Sequence, residues 1–128
     1  MNPTQISNQI QINLTAALWL AKASYPYLKE SKGMLLNFAS SSFTRGRANY
    51  ATYTSTKAAI VNLTQALSEE WHPDQIRVNC IVPGRTDTKM RRVNFNNEIQ
   101  SSLCNPYEVA LTSAKLLSRN TTGEVVRI

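Results

Sequence analysis

Between Ile6 and Ala21 the apolar residues Ile6, Ile10, Leu14, Ala17, Leu18 and Ala21 recur at three- and four-residue steps, the spacing that turns one side of a helix toward a core. Thr4 stands where a cap is needed, and Pro26 is expected to kink or end this helix. After the Lys32-Gly33 turn, Met34-Leu35-Leu36-Asn37-Phe38-Ala39 is an apolar run of strand length that Ser40-Ser41-Ser42 breaks. It reads as a buried strand delivering serines at its C-terminal end. Ala59, Ile60, Leu63, Ala66, Leu67 and Trp71 mark a helical face within 53–71, closed by His72-Pro73. Ile76 to Val82 reads as a second strand, stopped by Pro83-Gly84. From Arg85 to Leu103 the chain is polar and weakly periodic, as in a loop with a short helix. Pro106 opens a last helix through Leu117, and Val125-Val126 forms a short final strand after Thr122-Gly123.

Strands alternating with helices imply an α/β class with a parallel sheet covered on both faces. Two good strands and one weak one make a thin sheet for that architecture. The expectation is the C-terminal half of a Rossmann-like doubly wound sheet, lacking its N-terminal glycine-rich strand-turn-helix. Neither an internal repeat nor a linker divides the chain, so 1–128 reads as a single partial domain.

Hydrophobic residues make up 42% of the chain and charged residues 17%, too apolar a balance for disorder. The longest apolar run, Ala16 to Ala21, falls far short of the roughly 20 residues a membrane span takes, and no secretory signal pattern follows Met1. Cys80 and Cys104 lack a C-x-x-C or zinc-ligand context, which fits a reduced, cytoplasmic setting. His72 beside Glu69 and Glu70 has no fourth ligand, so no metal site is expected. Fourteen basic against eight acidic residues leave a net charge of +6. The charge is dispersed rather than striped among aromatics, so neither nucleic acid nor a membrane is an expected partner. Its one dense group, Arg85 to Arg92, suits either an anion on a small ligand or a solvated loop.

Chemistry concentrates elsewhere. Tyr53 and Lys57 are four residues apart at the start of a helix, so a phenol and an ammonium share one face. An ammonium so placed stabilises phenolate and makes the tyrosine a candidate general acid/base. Ser40 ends the first strand, where its hydroxyl is placed to orient a carbonyl or alcohol; Ser41 and Ser42 compete for that role. Asn13 interrupts the apolar stripe of the first helix, a position where an amide must find partners.

In order and spacing these motifs resemble the short-chain dehydrogenase/reductase family. Leu36-Asn37-Phe38-Ala39-Ser40-Ser41 is similar to the strand leading to its serine, and Arg77 to Gly84 to the strand and Pro-Gly turn after its catalytic helix. Thr122-Gly123-Glu124-Val125-Val126 is similar to its final strand. The resemblance implies an NAD(P)-dependent oxidoreductase acting on a carbonyl or alcohol, with Asn13, Ser40, Tyr53 and Lys57 as the catalytic group. It implies NAD or NADP held by Tyr53, Lys57, Pro83, Gly84, Thr86 and Thr88, and a homo-oligomer built through the helices at 4–30 and 53–71. The resemblance covers nearly the whole chain but only the C-terminal part of the family pattern. The glycine-rich phosphate turn has no counterpart, so these residues by themselves are expected to be inactive. A narrower resemblance, carried by Gly46 to Tyr50, Glu70-Trp71 and Pro83 to Arg91, is to bacterial reductases fused to a cytidylyltransferase that act on a pentulose phosphate. It implies a sugar or polyol phosphate contacted by Ser42, Arg85 and Arg91. The alternative is a noncatalytic assembly partner of a full-length dehydrogenase.

Overall fold

The computed structural model describes residues 1–128. Helix α1 (Pro3–Ile10) passes through a π turn, Gln11–Thr15, into α2 (Ala16–Ser31). Strand β1 (Met34–Phe38), helix α3 (Ala51–Glu70) and strand β2 (Arg77–Val82) follow. Helix α4 (Lys89–Asn94), helix α5 (Pro106–Leu117) and strand β3 (Val125–Arg127) complete the chain. The three strands form one parallel sheet in the order β1-β2-β3, registered Met34 on Arg77 and Cys80 on Val125. None of the helices is long and apolar enough to cross a membrane.

Alternation along β2 sends Val78, Cys80 and Val82 to the face that α3 covers, where they join two apolar clusters. One contains Ala21, Leu35, Leu67, Trp71 and Ile76; the other contains Ala39, Ile60 and Val61. Two polar pairs are built into this interior. Asn37 donates to the Thr64 hydroxyl at 3.0 Å. Asn79, wholly buried in the strand read as apolar, donates to the Thr121 carbonyl and accepts from the Glu124 N–H, both at 2.8 Å, and so anchors the approach to β3.

Three local expectations are corrected. Asn2, not Thr4, caps α1: Pro3 takes the first helical position, and the Asn2 side chain accepts from Gln5 N–H at 2.9 Å while Gln5 answers at 3.0 Å. Pro26 does not end the helix, which runs on to Ser31. Pro26 is exposed, so water can satisfy the carbonyl it leaves free, while Tyr25 and Leu28 on either side stay packed on the core. The stripe on the first helix is also less buried than its spacing suggests. Ile6, Ile10 and Leu18 remain exposed and only Ala21 is fully covered, because this chain supplies no layer beyond α3 against that face.

Candidate active site

The C-terminal ends of β1 and β2 meet at one rim, the place where open parallel sheets bind ligands. The Ser41 N–H donates to the Pro83 carbonyl at 3.0 Å, fastening the serine turn to the Pro-Gly turn. Gly84 in turn donates to the Ile128 carbonyl at 2.8 Å. A Cβ at residue 84 would lie 3.1 Å from that carbonyl oxygen and 3.2 Å from Cys104 Sγ, so the close approach favours glycine.

Ser40 and Ser42 face each other with Oγ atoms 2.9 Å apart, and Ser40 caps the short 3-10 turn Ser41–Thr44. Ser42 is buried, and its Oγ contact with Ser40 fixes the relative position of the two hydroxyls. Tyr53 and Lys57 project from the first turns of α3, with Lys57 Nζ 5.9 Å from the Tyr53 ring centroid. That ammonium donates to the Phe38 carbonyl at 3.0 Å, immediately before the serine turn. Burial pushes the Lys57 pKa below the ordinary lysine value, and the neighbouring Cys80 partly opposes the shift.

Asn13 sits in the π turn, a wider coil often found at functional positions. Its amide donates to the Thr56 hydroxyl at 3.4 Å, and that hydroxyl donates to the Tyr53 carbonyl at 2.7 Å. Asn13 is thereby linked to the turn that carries Tyr53.

Thr86 donates to the Gly84 carbonyl at 3.2 Å, and Thr88 caps α4 by accepting from the Arg91 N–H at 3.2 Å. Arg91 grips Glu98 through two bonds of 2.7 and 2.6 Å, and Arg85 approaches the same carboxylate at 3.4 Å. Glu98 is the residue that sequence reasoning missed. Its pairing with Arg91 reaches past the end of α4, from a residue in a stretch read as a weakly periodic loop.

The donor set fits the nicotinamide-ribose end of a dinucleotide. Lys57 keeps donors beyond its bond to Phe38, and Thr88 accepts through its oxygen and retains its own proton to donate. The four glycines, Gly33, Gly46, Gly84 and Gly123, form no glycine-rich turn to cradle a pyrophosphate.

Ser40 after β1 and Tyr53 and Lys57 on the first turns of α3 thus stand at one rim of a parallel α/β sheet. The chain belongs to the short chain dehydrogenase family, whose profile matches residues 1–99. It is 44% identical over all 128 residues to the bifunctional ribulose 5-phosphate reductase/CDP-ribitol pyrophosphorylase of Haemophilus influenzae, of which it spans 27%. A short chain dehydrogenase from Escherichia coli, solved with NADPH, superposes with a TM-score of 0.89 at 33% identity, covering 99% of this chain and 54% of that one. The NAD-bound 3-oxoacyl-[acyl-carrier protein] reductase of Brucella melitensis gives 0.85 at 28% identity, covering 100% and 52%. The chain thus spans about half the length of these solved relatives.

Proposed function

We propose that this chain is the catalytic half of an NAD(P)-dependent reductase of carbonyl sugars, acting on a sugar or polyol phosphate. The observation that carries the reading is the convergence of Ser40, Tyr53 and Lys57 at the joined ends of β1 and β2. When bound, the nicotinamide supplies or accepts the hydride. Tyr53 gives its phenolic proton to the carbonyl oxygen as the alcohol forms, and takes it back in the reverse direction. Ser40, held by Ser42, donates a hydrogen bond to the same oxygen and fixes its position. Lys57 stabilises the phenolate left on Tyr53 and offers its remaining donors to the nicotinamide ribose. Asn13 holds a water for the proton relay behind Tyr53. Pro83, Gly84, Thr86 and Thr88 would hold the nicotinamide end of the cofactor, and Thr88 would supply a contact to its carboxamide.

The Haemophilus reductase supports the substrate class, and the Arg85–Arg91 pair supplies its electrostatic counterpart. The exposed faces of α1–α2, including Trp19 and Leu20, support assembly as a homo-oligomer through 4–30 and 53–71. Free thiols at Cys80 and Cys104 accord with a cytoplasmic setting. The test is NAD(P)H oxidation by the protein joined to a dinucleotide-binding half, with pentuloses and pentulose phosphates as acceptors. Turnover with at least one is expected; none with any carbonyl sugar would overturn the proposal and favour a noncatalytic assembly partner.

A further inference from the structure

Arg85 Nη1 and Arg91 Nη2 converge on one atom, Glu98 Oε1, at 3.4 and 2.6 Å. Two guanidinium groups focused on a single oxygen form the arrangement in which a tetrahedral oxyanion bridges both. The cluster carries two positive charges against one negative, and the neighbouring Arg92 is already neutralised by a two-bond pair with Asp87. Arg85 is underused: its side chain is 55% exposed and makes one long contact with the carboxylate.

The cluster is also aimed. The Arg91 guanidinium lies 3.9 Å from the Phe95 ring centroid, and Phe95 stacks on Tyr50 with centroids 6.1 Å apart. Tyr50 immediately precedes α3, three residues before Tyr53. Through Phe95 and Tyr50 the Arg91 guanidinium is thus connected to the start of α3, the helix that carries Tyr53. Both arginines hold the Glu98 carboxyl below its ordinary pKa, so it stays an anion at neutral pH.

We propose that Glu98 is a resident stand-in for the substrate's phosphate: its carboxylate occupies an anion site made by Arg85 and Arg91, and the phosphate of a sugar phosphate displaces it. This rests on the sugar-phosphate reading of the active site and adds the groups that select for phosphate. A phosphate offers more acceptor oxygens and more charge than a carboxylate, so it engages the idle donors of Arg85 that Glu98 leaves free. An unphosphorylated sugar has nothing with which to displace Glu98. The phosphorylated form therefore gains affinity through the exchange.

Two measurements test this. Calorimetric titration of the protein with inorganic phosphate reads the site without turnover. Glu98→Gln should bind phosphate at least several-fold more tightly than the unaltered protein, and Arg91→Ala at least tenfold more weakly. In the catalytically complete protein, Glu98→Gln should lower KM for a pentulose phosphate while leaving that for the free pentulose and for NAD(P)H unchanged. Arg91→Lys should erase the preference for the phosphorylated sugar without altering KM for NAD(P)H. If Glu98 only braces the loop, Glu98→Gln weakens both sugars equally and phosphate binding does not tighten, which overturns the proposal. A weakened KM for NAD(P)H in the Arg91 variants would assign the site to a cofactor phosphate and overturn it equally. Phosphate binding that responds as expected, in a protein that reduces no carbonyl, would sink the reductase reading and leave the anion site standing.

Discussion

Lys57 Nζ donates to the carbonyl oxygen of Phe38 at 3.0 Å, so the ammonium beside Tyr53 is fixed by the strand that delivers Ser40. This hydrogen bond ties the start of α3 to the end of β1. Lys57→Met removes both this tether and the positive charge next to the phenol. The expected result is a fall in kcat of about a hundredfold or more, the range of a lost acid/base component. Steady-state kinetics of the catalytically complete protein, with circular dichroism to confirm an intact fold, measure it.

Thr64→Val tests the polar interior of the same interface. Asn37 and Thr64 are both buried and bonded at 3.0 Å, and valine keeps the shape while deleting the acceptor. An amide left unpaired at this depth costs about 1–3 kcal/mol. Urea unfolding should show that loss as a lower midpoint with little change in slope.

The architecture was legible because periodicity reports which face of an element turns toward the core. β2 and the Ile60, Leu67 and Trp71 positions of α3 are buried as their patterns predict, but Ala66 is exposed while Thr64 and Ser68 take buried places on α3, and Phe38 at the end of β1 is exposed rather than buried. The placement of Ser40 after β1 and of Tyr53 and Lys57 on the first turns of α3 was legible because the pattern marks those element ends. Asn79 was hidden because its partners, Thr121 and Glu124, lie more than forty residues away in a segment with almost no pattern. Glu98 was hidden because it lies beyond the end of α4, in a stretch whose polar residues show no period, although Arg85 and Arg91 are only 13 and 7 residues away. Pro26 misled because a proline signal carries no information about whether its helix face is wet.

Asp74 links the end of α3 to α2, accepting from the Tyr25 hydroxyl and pairing with Lys29 Nζ at 2.7 Å. These contacts hold its pKa below the ordinary carboxylate value. A depressed folded pKa stabilises fully above the unfolded value and is lost as pH falls through the folded one. Thermal melts in decreasing pH should therefore show a steeper acid decline for the unaltered protein than for Asp74→Asn. Parallel curves would remove Asp74 from the account.

The 128 residues by themselves should bind NAD or NADP no more tightly than about millimolar, since backbone amides of a glycine-rich turn supply much of the pyrophosphate recognition. Calorimetry with each cofactor measures this. Micromolar affinity would mean that the chain carries a pyrophosphate site of another design.

Proton transfer through Tyr53 is the center of the proposed mechanism, and Tyr53→Phe removes the phenolic oxygen alone. Single-turnover reduction of the carbonyl substrate by the catalytically complete protein, followed through NAD(P)H absorbance with cofactor affinity measured in parallel, separates chemistry from binding. The account predicts a rate at least about a hundredfold lower with cofactor affinity within a few-fold of the unaltered protein. An unchanged rate would contradict it.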